Sequence, residues 1–504
     1  MTVPQFGTAG LRAPMGDAPG EFNTALVERA TYGLATYLTE CQATGPVVIG
    51  FDARHGSARF AAEAAAVLVG SGRAALVMPR TLPTPVLAFA VRHLGAAAGV
   101  MITASHNPAT DNGYKVYLAD GVQIAPPHDA AVEAAMAGTP GVIPRAPGAG
   151  AVPDAVAEAY LARAAALLPG GPRELRVAYT PLHGVAGATF RHAWAAAGFA
   201  PCVEVPEQAA PEPDFPTVAF PNPEEPGALD LLTAAALRAG ADLALANDPD
   251  GDRCAVLLPA TSARPSRMLT GDEVGWLLAE HLLASGRVPG GGVLATTIVS
   301  SPLLERIAAA HARPCVRTLT GFKWLARVPG VAFAYEEALG YCADPSAVRD
   351  KDGITAALLV AELAARERAA GRTLLDRLDV IAHTYGVAVS APRSIRTADP
   401  GLAAQALQQL LDLPPATLGG LAVEGVDDLA APTTNLPPTP GVRLTAGPVS
   451  AIVRPSGTEP KLKIYLHALG DPAPADLAGE RARLTGLLER VAGELVTALP
   501  GVAR

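Results

Sequence analysis

At 504 residues, with 50% hydrophobic, 17% charged and 5% aromatic side chains, the chain is globular rather than disordered, and it is too long for one core. A net charge of −9 argues against a nucleic-acid partner, whose phosphates need a basic face, although a few local cations can still draw a small anion into a cleft. Five scattered cysteines without a CxxC pair fit a reducing compartment, the longest apolar run, near 96–103, is far too short for a bilayer, and the start of the chain lacks a signal-like segment. A cytoplasmic protein without a membrane or nucleic-acid partner is expected, working as a monomer or homodimer.

In chain order, 47–51 reads as a buried strand, 60–71 as a helix, 75–78 as a strand and 85–94 as a helix. The strand 99–102 then runs into a loop carrying Thr103-Ala104-Ser105-His106-Asn107-Pro108. A Pro/Gly-rich stretch, 139–153, reads as a loop before a linking helix over 154–168. The rhythm restarts at 175–179, passes a helix near 229–239, and ends the strand 243–246 at Asp248-Pro249-Asp250-Gly251-Asp252-Arg253. Thr270-Gly271-Asp272-Glu273 opens the next helix as a capping box. A third restart at 293–298 leads to the strand 331–335, which delivers Glu336 and Glu337. Beyond about 385, strands (386–390, 451–453, 461–466) mix with helices, the last near 475–499.

This alternation predicts parallel βαβ units with helices on both faces. The fold class is therefore α/β: three related mixed-sheet α/β domains, 1–168, 169–288 and 289–384, followed by a C-terminal α+β domain, 385–504. In the first three, the conspicuous loop follows the carboxyl end of a strand, where open α/β sheets bind ligands.

Three carboxylates at alternate positions, Asp248, Asp250 and Asp252, converge in a tight turn and suit Mg²⁺, which takes oxygen ligands and leaves room for phosphate. An EF-hand fails, since its sixth position would be Arg253 rather than Gly and its twelfth Pro259 rather than Glu. A solvated Asp/Pro/Gly turn is the competing reading. Ser105 is not in a GxSxG elbow, so it suits holding a phosphoryl group rather than hydrolase chemistry, with a plain turn or helix cap as the alternative. Arg454, Ser456 and Thr458, in Arg454-Pro455-Ser456-Gly457-Thr458-Glu459-Pro460, could bind phosphate as a fork plus a backbone nest. Glu336 and Glu337 could accept from sugar hydroxyls, and Lys115 and Arg12 could stabilise charge on transferring oxygens. Read singly, these four are equally well surface groups.

With those residues in view, the chain resembles the α-D-phosphohexomutase superfamily over nearly its whole length, through TASHNP, DPDGDR, EEALGY and RPSGTEP in the family's order. The resemblance implies three related α/β domains and a fourth of different fold around a central cleft. It implies that Ser105 carries the phosphoryl group and that Asp248, Asp250 and Asp252, with the phosphoserine, hold Mg²⁺. A bisphosphorylated sugar would form, turn over and return its other phosphate to Ser105, with a sugar 1,6-bisphosphate as activator. Arg12, His106, Lys115 and Arg253 would stand near the chemistry, Lys115 assisting as acid or base, the latter only with a lowered pKa. Glu336, Glu337 and Lys323 would bind the sugar, and Arg454, Ser456, Gly457 and Thr458 the distant phosphate. Stretches such as Asp350-Lys351-Asp352-Gly353 look like the branch with phosphopentomutase and phosphoglucomutase-2-type enzymes. Ala338 and Phe322 depart from hexose-mutase patterns, so the sugar is open: hexose phosphates lead, pentose phosphates follow, and bisphosphate synthesis or a silent phosphosugar-binding protein are the remaining alternatives.

Overall fold

The unbroken apolar run at 47–49 becomes the strand Val47–Phe51, with Val47, Val48 and Ile49 fully buried, as expected for a strand covered on both faces. The structure, a computed structural model, describes residues 6, 7, 10–262, 264–396, 400–431, 436–455 and 461–499. The chain divides into two compact units, Met1–Val274 with Gly321–Thr373, and Gly275–Thr320 with Leu374–Arg504.

In the first unit, one sheet runs in the order Leu11–Pro14, Asp111–Leu118, Ala98–Ile102, Val47–Phe51, Ala75–Val77, Gly150–Ala151. Its centre is parallel, but Asp111–Leu118 returns antiparallel to Ala98–Ile102 and pairs antiparallel with Leu11–Pro14. The helices Thr24–Glu40 and Ser57–Gly70 bury Leu34, Phe60 and Leu68 in the same core as Val47, Val100 and Val116. Asn23 caps the first of them by accepting from the Leu26 N–H at 3.0 Å. A second sheet runs Arg267–Met268, Cys254–Leu258, Leu243–Asn247, Val177–Thr180, Val203–Glu204, again parallel except for the return of Cys254–Leu258. A third piece is the hairpin of Val331–Glu336 and Gly340–Cys342. The capping box forms as expected: the Thr270 N–H donates to Glu273 Oε2 (2.9 Å), and the Glu273 N–H to Thr270 Oγ1 (3.2 Å).

The second unit holds a parallel pair, Val293–Thr297 and Cys315–Thr318. It also holds an antiparallel sheet, Ala388–Ser390, Lys461–Leu469, Val449–Pro455, Val442–Ala446, Gly425–Asp428, with Arg393–Arg396 also on Lys461–Leu469. The helix Leu477–Ala498 buries Leu484, Leu488 and Leu495 in the core of this sheet.

The fold class read from the sequence holds: mixed α/β sheets, then an α+β region. The sheets are mixed as expected, because each serine- or aspartate-bearing loop is the turn between a strand and its antiparallel return. One expectation is corrected: the stretch 139–153 is not all loop, since Gly150–Ala151 pairs in parallel with Leu76–Val77.

Candidate active site

The serine loop, the aspartate loop and the Glu336 hairpin meet in the first unit. Backbone contacts bind the last two: Arg253 bridges to Gly340, and the Cys254 N–H donates to the Leu339 carbonyl at 3.1 Å. The serine loop leaves Ala98–Ile102 and turns at Ser105, where φ is +55°. The Ser105 N–H donates to Thr103 Oγ1 (2.8 Å), which tightens this turn. The side chain is 1% exposed; its Oγ donates to Asp248 Oδ2 at 2.8 Å and lies 3.2 Å from His106 Nδ1. The Ser105 hydroxyl and the aspartate loop are therefore in direct contact.

Asp248, Asp250 and Asp252 are fully buried, and one carboxylate oxygen from each falls within 4.8 Å of the others. Gly251 makes this turn possible, with φ at +72°. Asp250 Oδ2 accepts from Lys115 Nζ (2.6 Å) and Thr84 Oγ1 (2.6 Å), and Asp252 Oδ2 from Lys115 Nζ (3.0 Å), with Lys351 Nζ 3.3 Å away. Asp250 Oδ1 and Asp252 Oδ1 are buried without a hydrogen-bond partner among the described residues. Two orphaned carboxylate oxygens beside a third carboxylate are what an oxygen-seeking divalent cation requires, so the residues fit a metal.

The charges here set one another. Burial, then Asp250 and Asp252, push the Asp248 carboxyl up to about 8. Burial also opposes ionisation of Asp252, but Lys115, Lys351 and Arg253 outweigh it and hold its pKa well below the usual range. Burial alone would lower Lys115, yet Asp250 and Asp252 prevail and hold its ammonium above its ordinary value. Its carboxylate partners, at hydrogen-bond distance, favour the charged form. Burial, then Arg253 and Arg12, hold the His106 imidazole well below its ordinary value, so it stays neutral.

Arg12 Nη1 donates to Asn107 Oδ1 at 2.9 Å, on the serine loop. The Arg253 N–H donates to Asp248 Oδ1 (3.0 Å), while its guanidinium reaches Glu224 at 3.4 Å. Glu336 is buried at the end of its strand; burial, partly offset by Lys351 and Arg253, pushes its carboxyl up to about 7. Glu337 is half-buried beside it. Lys323 lies apart from the aspartates in its contacts, 3.9 Å from Asp129 and 3.4 Å from the Gly7 carbonyl. Arg454 belongs to the second unit, where Nη1 donates to Thr320 Oγ1 at 2.6 Å. Ser456, Gly457 and Thr458 lie outside the described residues.

Sequence reasoning passed over Asp52, Arg54, Thr84 and Lys351. For Asp52 and Arg54 a signal was present, since they too follow the carboxyl end of a strand. Lys351 stood inside a stretch quoted only for its resemblance.

Three family models, describing the α/β/α domains I, II and III of phosphoglucomutase/phosphomannomutase, match residues 3–140, 158–261 and 270–384. A Haemophilus influenzae protein named "Probable phosphomannomutase" is 40% identical over 472 residues, 90% of this chain and 94% of that protein. A Schizosaccharomyces pombe protein named "Probable phosphoribomutase" is 36% identical, covering 92% of this chain and 87% of its own. The fold matches that of a phosphoglucomutase/phosphomannomutase family protein from Burkholderia thailandensis with a TM-score of 0.76, at 19% identity and over 100% and 99% of the two chains. The chain belongs to the phosphoglucomutase/phosphomannomutase family and is, by that membership, a phosphomutase of the isomerase class.

Proposed function

We propose that this enzyme moves a phosphoryl group between C1 and C6 of a hexose phosphate, with Ser105 as the carrier and Mg²⁺ as the metal. The observation that carries the reading is the Ser105 hydroxyl 2.8 Å from Asp248, beside two orphaned carboxylate oxygens. A divalent cation held by Asp248, Asp250 and Asp252 would neutralise charge on the transferring phosphoryl group.

Phosphorylated Ser105 gives its phosphoryl group to the free hydroxyl of the bound sugar phosphate: the bond to Oγ breaks, the bond to the sugar oxygen forms, and the proton of the sugar hydroxyl ends on the released Ser105 Oγ. The bisphosphorylated sugar then turns, and its other phosphoryl group returns to Ser105. Lys115, held protonated, and Arg12 stabilise charge on the transferring oxygens rather than removing protons. Neutral His106 lies against the serine oxygen, within hydrogen-bonding distance. Arg253 orders the aspartate loop through its N–H. Glu336, with Glu337 and Lys323, is assigned to the sugar, and Arg454, with Ser456, Gly457 and Thr458, to the phosphate that is not reacting. A sugar 1,6-bisphosphate would load Ser105 before the first turnover.

The hexose reading is supported by the relative named as a phosphomannomutase, at 40% identity; the one named as a phosphoribomutase, at 36%, keeps a pentose phosphate as the second reading. Turnover of glucose, mannose, N-acetylglucosamine, ribose and deoxyribose 1-phosphates, with Mg²⁺ and glucose 1,6-bisphosphate, tests it. A hexose preference above about tenfold in kcat/KM, about 1.4 kcal/mol of discrimination, is expected. A pentose preference would replace it, and inactivity on all five would overturn both.

A further inference from the structure

Ser105 occupies the left-handed region, which an L-residue without local compensation rarely adopts. Its compensation lies underneath. Arg54 is 4% exposed and spreads its guanidinium over four carbonyls of the serine loop and the strand that follows. Nη2 donates to Ser105 O (2.7 Å) and Asn107 O (2.5 Å), and Nη1 to Pro108 O (2.6 Å) and Asp111 O (3.1 Å). Its Nε faces Asp52 Oδ2 at 3.4 Å, and Asp52 is itself held by the Arg54 N–H (3.0 Å) and Ser57 Oγ (2.6 Å). Only a planar fork of fixed donors reaches four acceptors at once; a lysine offers a single point charge on a flexible stem.

One face of the guanidinium is covered. Its Cζ stands 4.9 Å from the ring centroid of Phe215, which is buried with φ at +46°. The segment 212–217 is fastened from behind: the Glu212 N–H donates to the His183 carbonyl (3.0 Å), and Thr217 Oγ1 bonds His183 Nε2 (2.8 Å) and Gln208 Nε2 (2.9 Å). His55 Nε2 meets Asp214 Oδ1 at 2.7 Å. Next to His183, the Val185 N–H donates to the Pro249 carbonyl at 2.8 Å, inside the aspartate loop. One layer therefore touches both loops whose contact defines the site.

We propose that Arg54 is a positioning residue for phosphoryl transfer: clamped between the serine-loop carbonyls and Phe215, it fixes the Ser105 hydroxyl in register with the aspartate loop. The inference rests on the reading of Ser105 as the phosphoryl carrier. A purely structural arginine would lower stability when replaced and leave the folded enzyme's rate constant alone. A positioning arginine loses rate at unchanged substrate affinity.

The test compares Arg54→Lys, Arg54→Ala, Phe215→Leu, Ser105→Ala and the core variant Leu68→Ala in the full chain, with Mg²⁺ and glucose 1,6-bisphosphate. It reads kcat, KM, thermal midpoint and phosphate on Ser105 by intact mass. Arg54→Lys is expected to lose about 100-fold in kcat, as a displacement of about 1 Å does, with KM for the sugar phosphate within about twofold. Phe215→Leu, which keeps an apolar cover but loses the ring, is expected to lose roughly tenfold in kcat. Methylguanidinium should restore part of the Arg54→Ala rate, and Leu68→Ala should lower the midpoint at unchanged kcat. Full kcat in folded Arg54→Lys, or a loss no greater than in Leu68→Ala at an equal drop in midpoint, overturns the proposal. If Arg54→Lys does not fold, Phe215→Leu decides: unchanged kcat there overturns it. An active Ser105→Ala would overturn the carrier reading as well, whereas an inactive Ser105→Ala beside a fully active Arg54→Lys would remove only the role of Arg54.

Discussion

The ammonium of Lys115 sits 2.6 Å from Asp250 and 3.0 Å from Asp252, and all three side chains are buried. Such a cluster survives because each charge is matched by another, so removing one partner leaves an uncompensated ion. Lys115→Met is therefore expected to destabilise the first unit by about 3–5 kcal/mol, read from denaturant unfolding of the metal-free protein, and added Mg²⁺ should recover part of the loss. A wild-type midpoint in this variant would mean that the carboxylates take up protons instead. Glu336 supplies a pH signature. Burial, against Lys351 and Arg253, raises its carboxyl from the ordinary 4.5 to about 7, so across that interval the native state binds more protons than the unfolded chain. Its contribution to stability is present below pH 4.5 and declines as pH rises towards 7. Glu336→Gln should flatten that decline in unfolding midpoints measured across the interval; an unchanged slope would assign it to other groups.

The strand Asp111–Leu118 shows how an element escapes a reading of pattern. It is Asp-Asn-Gly-Tyr-Lys-Val-Tyr-Leu: the Asn-Gly pair signals a turn, and its lysine at a buried position breaks the apolar run. Glycine is needed there for a reason that lies elsewhere in the fold, since a Cβ on Gly113 would stand 2.5 Å from the Thr103 carbonyl and 2.9 Å from that of Leu11. Gly113→Ala pushes backbone on both sides, one of them the serine loop. It is expected to destabilise by about 1–3 kcal/mol and to slow loading of Ser105 from a sugar bisphosphate, followed by intact mass. Normal loading in a destabilised variant would separate this strand from the site. Cys254–Leu258 was missed for a related reason: a five-residue apolar run is ambiguous until its partner, Leu243–Asn247, is known. Local signals were legible where chemistry is local, as in the Asp248–Asp252 alternation, the Thr270 capping box and the strand ends carrying Ser105 and Glu336. For Arg54 only its place after a strand end was legible, and its contacts were not, because its four carbonyl partners lie more than 50 positions away in sequence.

At the scale of the whole molecule, the residues assigned to chemistry and those assigned to the distant phosphate fall in different compact units. Ser105, the three aspartates, Lys115 and Glu336 lie in Met1–Val274 with Gly321–Thr373, and Arg454 lies with Leu374–Arg504. The metal assignment can be tested by a thermodynamic experiment that does not depend on turnover. A ligand that binds only the native state stabilises the unit that holds it by RT ln(1 + [L]/Kd), about 2.7 kcal/mol at 100 times Kd. Among the described residues two buried carboxylate oxygens of Asp250 and Asp252 lack hydrogen-bond partners and the Asp248 carboxyl is pushed up to about 8, so a cation bound there would offset an unfavourable burial of charge. Calorimetry after chelation, then with Mg²⁺ restored, should show the unfolding transition move upward. Replacing Asp250 and Asp252 together with Asn should abolish the shift. A shift that persists in that double variant would show that the ion acts on the chain at large and not through the aspartate loop.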